Sequence, residues 1–315
     1  MTPKLQDGNE KPRVFRLPSQ NALINRYGLN SLGADGVSIL LRKRVRKYAY
    51  EIGYGIDSEA ERAILDGETG VMPGSLAEGK MLAVQIAKNK DTSGDDIAAV
   101  VQDYTYCVEK LGRYADILVV NVSSPNTPHL RKLQQTQPLT DILSTVVDAA
   151  KRVDRRTKPA VMVKVSPDES SDGDIRGICS AVIRSGVDGV VVANTTNSRP
   201  VEPSSLTLKE ASTLKETGGF SGPGTFEHTR SLVERYRRFL DAMTSPGSKY
   251  KVIFASGGIT SGPQALQVLE AGASVGMVYT AMVYGGAGTC TRLKRELREE
   301  MRRQIAIAAS EGNEA

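Results

Sequence analysis

Three cysteines and two histidines among 315 residues leave little for soft-metal or disulfide chemistry. Cys107, Cys179 and Cys290 are far apart and form no CxxC pair, and only His129 and His228 could join them. Neither a disulfide framework nor a zinc site is expected. The sequence has no run of 18 apolar residues, so it offers no candidate membrane-spanning helix. Its opening, MTPKLQDGNEKPR, has neither the apolar core of a secretory signal nor the acid-poor amphipathic pattern of a transit peptide. No internal repeat, low-complexity tract or GxGxxG fingerprint stands out. Charge of one sign is also scarce: 41 basic residues against 36 acidic ones give +5, which permits an anionic ligand without selecting one and carries no nucleic-acid signature. With 40% hydrophobic and 24% charged residues, the composition is that of an ordinary globular chain.

Short apolar, β-branched runs recur at 82–86, 117–121, 160–165, 189–193, 252–255 and 275–279, each bounded by polar or glycine-rich residues. They read as buried parallel strands. Helix patterns lie between them. Ile97, Val100, Val101, Tyr104, Val108 and Leu111 fall on one helical face, with Gly112 as a stop, and similar stretches occupy 139–147, 175–183, 226–240 and 265–269. Ser261 and Gln264 have capping-box spacing at the start of the last of these. Such alternation implies a parallel sheet covered by helices, with function at the strand C-termini. Residues 13–17 and 22–27 look extended. Residues 40–50 read as a basic helix with a buried stripe of Leu41, Val45 and Tyr48, a solvated face being preferred to a membrane or nucleic-acid patch. A short helix is expected from Ser58, with Glu61 as its capping-box partner, and 292–303 read as an exposed final helix. The GSLAEGK segment from Gly74 to Lys80 resembles a P-loop, but Met81 replaces the magnesium-binding hydroxyl and the segment precedes a strand, so it is set aside.

Polar residues cluster where the strands end. NVSSPNTP follows the second strand, offering Asn121, Ser123, Ser124, Asn126 and Thr127 between stiffening prolines, a loop suited to a small polar ring. Lys164 lies within the apolar strand VMVKV. Either Asp168 pairs with it, or it faces a ligand able to carry negative charge, and the second reading is preferred because Asn194, Thr195 and Thr196 follow the next strand. Two glycine groups, at 218–222 and at Gly257 and Gly258, complete the set. The second, with the helix start at Ser261 on one side and residues 278–280 on the other, reads as a phosphate site in the loops after the last strands of a barrel.

Taken in order, INRYGLNS, AKNK, NVSSPNTP, VKVSPD, ANTTNSRP, GGFSG, SGGITSG and VYTAMVYGG resemble the membrane-associated, quinone-using dihydroorotate dehydrogenases, from about Pro3 to about Leu297. The resemblance implies a (β/α)8 TIM-type barrel that holds FMN and oxidises dihydroorotate to orotate, a step of pyrimidine synthesis. Residues 1–38 would be a β excursion at the barrel entrance, 39–80 the basic helix and an insertion loop, and 81–315 the remaining βα units. Ser124 would be the base that takes a proton from C5 while C6 gives up hydride, and a serine there, where soluble classes carry cysteine, implies quinone as final oxidant. Asn25, Asn121, Asn126, Asn194 and Thr195 would bind the substrate. Gln85, Lys164, Ser221, Gly222, Gly257, Gly258, Tyr279 and Thr280 would bind the cofactor, and Arg16 would stand near the quinone. Gln85 replaces a usual asparagine and Ala193 a frequent threonine.

The family's N-terminal targeting and membrane segment and its first two barrel strands find no match in this sequence, so the chain is expected to show about six strands where closure needs eight, to bind FMN weakly and to turn over slowly or not at all. The family setting is the mitochondrial inner membrane. Three alternatives are a non-catalytic phosphate- or nucleotide-binding barrel fragment, a flavin barrel acting on another pyrimidine, and a peripheral membrane binder through the basic helix.

Overall fold

The computed structural model describes residues 1–124, 134 and 136–311. An N-terminal excursion comes first: β1 (Leu5–Gln6), β2 (Val14–Leu17), β3 (Ala22–Asn25) and β4 (Ser31–Leu32), followed by α1 (Gly33–Glu51) and α2 (Ser58–Leu65). Strands and helices then alternate as β5 (Ala83–Ile86), α3 (Ile97–Leu111), β6 (Ile117–Asn121), α4 (Thr136–Lys151), β7 (Ala160–Val165), α5 (Asp172–Ser185) and β8 (Gly189–Val192). After α6 (Leu208–Thr213) and β9 (Gly219–Ser221) the alternation resumes with α7 (Phe226–Met243), β10 (Val252–Ser256), α8 (Gly262–Glu270) and β11 (Val275–Met277). Two helices, α9 (Thr280–Gly285) and α10 (Thr289–Glu311), end the described chain.

The main sheet has six parallel strands in the order β11-β10-β8-β7-β6-β5, each joined to the next by an outer helix or helical connection. It is an α/β sheet of TIM-barrel type, open rather than closed among the described residues. Burial on both faces explains why its strands read as continuous apolar runs: every residue of β6 and of β8 is buried. One face packs on α3, α4, α5 and α7 in the main core, and the other gathers Ile117, Val119, Met162 and Val191 in a smaller cluster inside the arc. The second sheet, antiparallel β2-β3-β9, ties the N-terminal excursion to the loop after β8, with Ile24 in register with Phe220.

Local expectations fail where tertiary contacts override local pattern. α1 begins at Gly33, well before residue 40, because the Ala34 amide donates to the Pro3 carbonyl (3.0 Å) and both Gly33 and Ala34 are buried. Helix α2 is capped by Asp57, whose side chain accepts from the Ala60 amide, and not by Ser58. Glu61 therefore is no capping-box partner. It is buried and accepts from Arg42 Nε (2.7 Å) and Arg46 Nε (2.9 Å), clamping α2 to the basic face of α1. The P-loop-like segment holds an anion of its own: the amides of Gly74, Ser75 and Leu82, each at 2.8 Å, donate to the Asp116 carboxylate. That bond set anchors the loop to the start of β6 and leaves no room for a phosphate.

Candidate active site

The ends of β7, β8, β10 and β11 and the overlying sheet β2-β3-β9 enclose a cavity of about 310 Å³. Lys164 from β7, Asn194 and Thr195 from the turn after β8, and residues 256–258 at the end of β10 line its barrel side. Residues 277–281 after β11 continue that wall, while Val14, Leu23 and Asn25 with Phe220, Ser221 and Gly222 close it from above. Thr280 Oγ1 donates to Ser221 Oγ (2.9 Å), joining the two walls. A larger groove, about 680 Å³, lies between α7 and α8 on the outer helix layer, away from the strand C-termini, and in it Arg230 pairs with Glu234 and Arg237 with Asp241.

The cavity thus brings together Asn25, Lys164, Asn194 and Thr195 with Ser221, Gly222, Gly257, Gly258, Tyr279 and Thr280. Lys164 has no ion pair among the described residues, and burial alone lowers its pKa to about 8. Asp168 accepts instead from Thr196 Oγ1 and from the Asn197 amide (2.9 Å), bracing the turn after β8. Tyr279 is 70% exposed, so it stands at the rim rather than the interior.

Gly257 and Gly258 form a turn that only glycine fits. Both have positive φ, +153° and +71°, and a Cβ would lie 2.4 Å from Thr229 Oγ1 or 2.4 Å from the Phe226 nitrogen at the start of α7. Packed so closely, the turn offers the cavity main-chain amides and nothing bulkier, a concavity suited to an anion. The start of α8 does not share in it as expected. The Gly262 amide donates to Glu296 Oε2 of α10 (2.8 Å) and the Gln264 amide to Ser261 Oγ, so these first amides are satisfied within the protein. The Glu296 carboxylate is held below its ordinary pKa, chiefly by that Gly262 amide. Gln264 turns its own Oε1 to Thr260 (2.8 Å) instead of completing the capping box.

Asn121 lies beside the cavity, in register with Lys164 on the neighbouring strand. Its Oδ1 accepts from the Ser123 amide (3.0 Å) and from Ser123 Oγ (2.8 Å), and Ser123 Oγ in turn accepts from Asn194 Nδ2 (2.8 Å). Ser124 is buried, immediately after this group. Asn126 lies outside the described residues. Gln85 is not brought to the cavity: it is on β5, in register with Val119 rather than Asn121. Arg16 is also apart. It sits over the Tyr284 ring at 5.6 Å and lines a separate groove of about 510 Å³ with Phe15 and Glu210.

Sequence reasoning passed over the apolar part of the wall, Leu23, Phe220 and Met277, and a half-buried brace at Arg199. The Arg199 guanidinium donates to the carbonyls of Leu214 (3.1 Å), Glu216 (2.9 Å) and Gly218 (3.0 Å), holding the approach to β9 against the turn after β8. Its only local signal is an arginine in a turn before proline, which is too common to select.

The fold defines a TIM-barrel-type protein with a cavity at the strand C-termini. The profile of the family described as dihydroorotate dehydrogenase matches residues 1–301, and the chain belongs to that family. The chain is similar to proteins named "Dihydroorotate dehydrogenase (quinone), mitochondrial". That of Lachancea kluyveri is 37% identical over 313 residues, 96% of this chain and 64% of the relative. That of Mus musculus is 38% identical over 298 residues, 94% of this chain and 64% of the relative. The chain therefore spans just under two thirds of the length of these relatives. Among solved structures, the Eimeria tenella enzyme in complex with ferulenol superposes with a TM-score of 0.79 at 32% identity, covering 97% of this chain and 74% of that one. No helix among the described residues is long and apolar enough to cross a membrane.

Proposed function

We propose that this chain carries the site for FMN-dependent oxidation of dihydroorotate to orotate, with a quinone as final electron acceptor, in the mitochondrial setting named for its relatives. The observation that supports this most is one cavity that joins Lys164, a cation with no ion pair among the described residues, to a glycine turn with no space for a side chain and to carboxamides at Asn25 and Asn194. Those groups fit a planar cofactor with an anionic tail. Bound there, FMN would supply the two-electron acceptor that no side chain in the protein provides.

The protein's own residues then have distinct parts. The amides at Gly257 and Gly258 would hold the phosphate, with Tyr279, Thr280, Ser221 and Gly222 along the chain between phosphate and ring. Lys164 would balance negative charge on the ring edge. Asn25, Asn121, Asn126, Asn194 and Thr195 would hold the substrate, and Ser124 would take the C5 proton within a pocket that excludes water. Arg16 would stand by the quinone in its separate groove, and Gln85, away from the cavity on β5, takes no part in this arrangement.

The purified chain, titrated with FMN, should show a visible flavin spectrum that bleaches on adding dihydroorotate and recovers with a quinone dye. A flavin that binds and is never bleached would leave only the phosphate-ligand alternative, and bleaching by another dihydropyrimidine in preference would select the other-pyrimidine reading. Gly258→Ala forces a side chain into the left-handed region and against α7, a strain of about 1 kcal/mol or more. FMN affinity, read by quenching of flavin fluorescence, should fall about tenfold, since about 1.4 kcal/mol is one decade.

A further inference from the structure

The hydrogen bonds around Ser123 leave no freedom in how the two neighbouring carboxamides are turned. A main-chain N–H can only donate, so the atom of Asn121 facing the Ser123 amide is its oxygen, and the atom of Asn194 facing the Thr195 amide (2.8 Å) is likewise its oxygen. The Asn194 nitrogen must then be the atom 2.8 Å from Ser123 Oγ, which accepts from it. The single hydroxyl hydrogen of Ser123 is left to donate to Asn121 Oδ1 (2.8 Å). The chain of donors runs one way, from Asn194 through Ser123 to Asn121. Tyr104, fully buried on α3, fixes the same strand end by donating its hydroxyl to the Asn121 carbonyl (2.8 Å).

Both carboxamide oxygens are thus engaged inside the protein. Left open among the described residues are the NH2 of Asn121, the second amide hydrogen of Asn194 and one lone pair of Asn194 Oδ1, which accepts a single hydrogen bond, beside the Lys164 ammonium. We infer that Ser123 is a positioning residue that ties Asn194 to Asn121 and fixes where their amide hydrogens point, so that this side of the cavity favours a ligand edge rich in acceptors, a carboxylate or a carbonyl. The sequence reading expects these amides to offer donors and acceptors alike; the structure leaves them three donor hydrogens against one acceptor lone pair. The inference rests on the proposed reading of the site and deepens it by assigning which edge of the substrate faces the barrel floor. Ser123 itself is wholly buried and touches no ligand, and its effect passes through the two asparagines.

The test uses Ser123→Ala and Ser123→Thr in the FMN-saturated chain. In S123A the main-chain amides still hold both oxygens, but nothing ties Asn194 to Asn121, so orotate affinity by calorimetry should fall about tenfold and the dihydroorotate KM should rise by a similar factor. The kcat should change little, the melting temperature should stay near wild type, and S123T should restore binding. The wild-type preference for orotate over its carboxamide analogue should shrink in S123A. Equal orotate affinity and preference in S123A and wild type would overturn the inference. If the wild-type chain binds no orotate at all, the reading of the function fails first. Ser123 is then judged on the side-chain amide hydrogens of Asn194, assigned by their loss in Asn194→Asp. Slow exchange in wild type that becomes fast in S123A upholds the positioning role, and identical exchange rejects it.

Discussion

Replacing Lys164 by methionine is expected to stabilise the ligand-free chain at pH 7, by as much as about 3 kcal/mol, while removing affinity for an anionic ligand. The lysine sits in an otherwise apolar strand with no carboxylate partner among the described residues, and burial lowers its pKa from 10.5 to about 8. Between those two values the unfolded chain binds the proton that the folded chain has released, so stability rises with pH through that window. Below pH 8 folding must bury the ammonium and the full cost is present; by pH 10.5 the side chain is neutral in both states and the cost is gone. Because Lys164 opens onto the cavity, residual hydration makes about 3 kcal/mol an upper bound. Denaturant unfolding of wild type and Lys164→Met at pH 7 and pH 10.5 reads the difference, which should shrink toward the higher pH. The ligand should behave in the opposite sense. An anion in the cavity favours the charged lysine, so its affinity should fall as pH rises past 8 in wild type and lose that dependence in the variant. A variant no more stable than wild type at pH 7 would mean that the ammonium already has a counter-charge, and the case for an anionic occupant would fail with it.

The same buried cation shows why some of this molecule is legible in its sequence and some is not. Strands β6 and β7 match their apolar runs residue for residue because both of their faces are covered, so the run begins and ends where burial does. A single charge in such a run has few explanations, and Lys164 could be singled out on that ground. The polar residues just past β6 and β8 were legible for the same reason, as the first positions free of the core. β9 was not, since three residues, GFS, carry no period, and only pairing with β3 from the far end of the chain makes them a strand. The glycine turn lines the cavity, while the start of α8 spends its first amide on Glu296, which comes from a helix whose docking no local pattern announces. Ser123 belongs to this second group. Next to Ser124 in a polar loop it looks like a spare hydroxyl, and its role depends on a partner 71 residues away.

Those adjacent serines should separate cleanly in kinetics. Ser124→Ala is expected to slow dihydroorotate oxidation by about 10²- to 10⁴-fold, the range for loss of a positioned general base. A proton leaves C5 only as the reaction proceeds, so Ser124 acts in the transition state and hardly at all on bound substrate. The loss should fall on kcat, with KM and orotate affinity within a few-fold of wild type. Ser123→Ala should give the reverse pattern, a higher KM with kcat nearly kept, because hydrogen bonds to the acceptor edge hold substrate and transition state alike. Ser124→Cys adds a second reading: a thiol with a pKa near about 8.5 is a competent base only when ionised, so its rate should climb through that region while the serine enzyme stays comparatively flat. The burial of Ser124 works against the thiolate and should displace that climb to higher pH. Stopped-flow flavin bleaching across pH 6.5 to 9.5 measures all three proteins in one format. If Ser124→Ala bleaches at the wild-type rate, the proton goes elsewhere, and the acceptor must be sought in the cavity that holds Lys164, where an amine neutral above pH 8 is the next group able to take it.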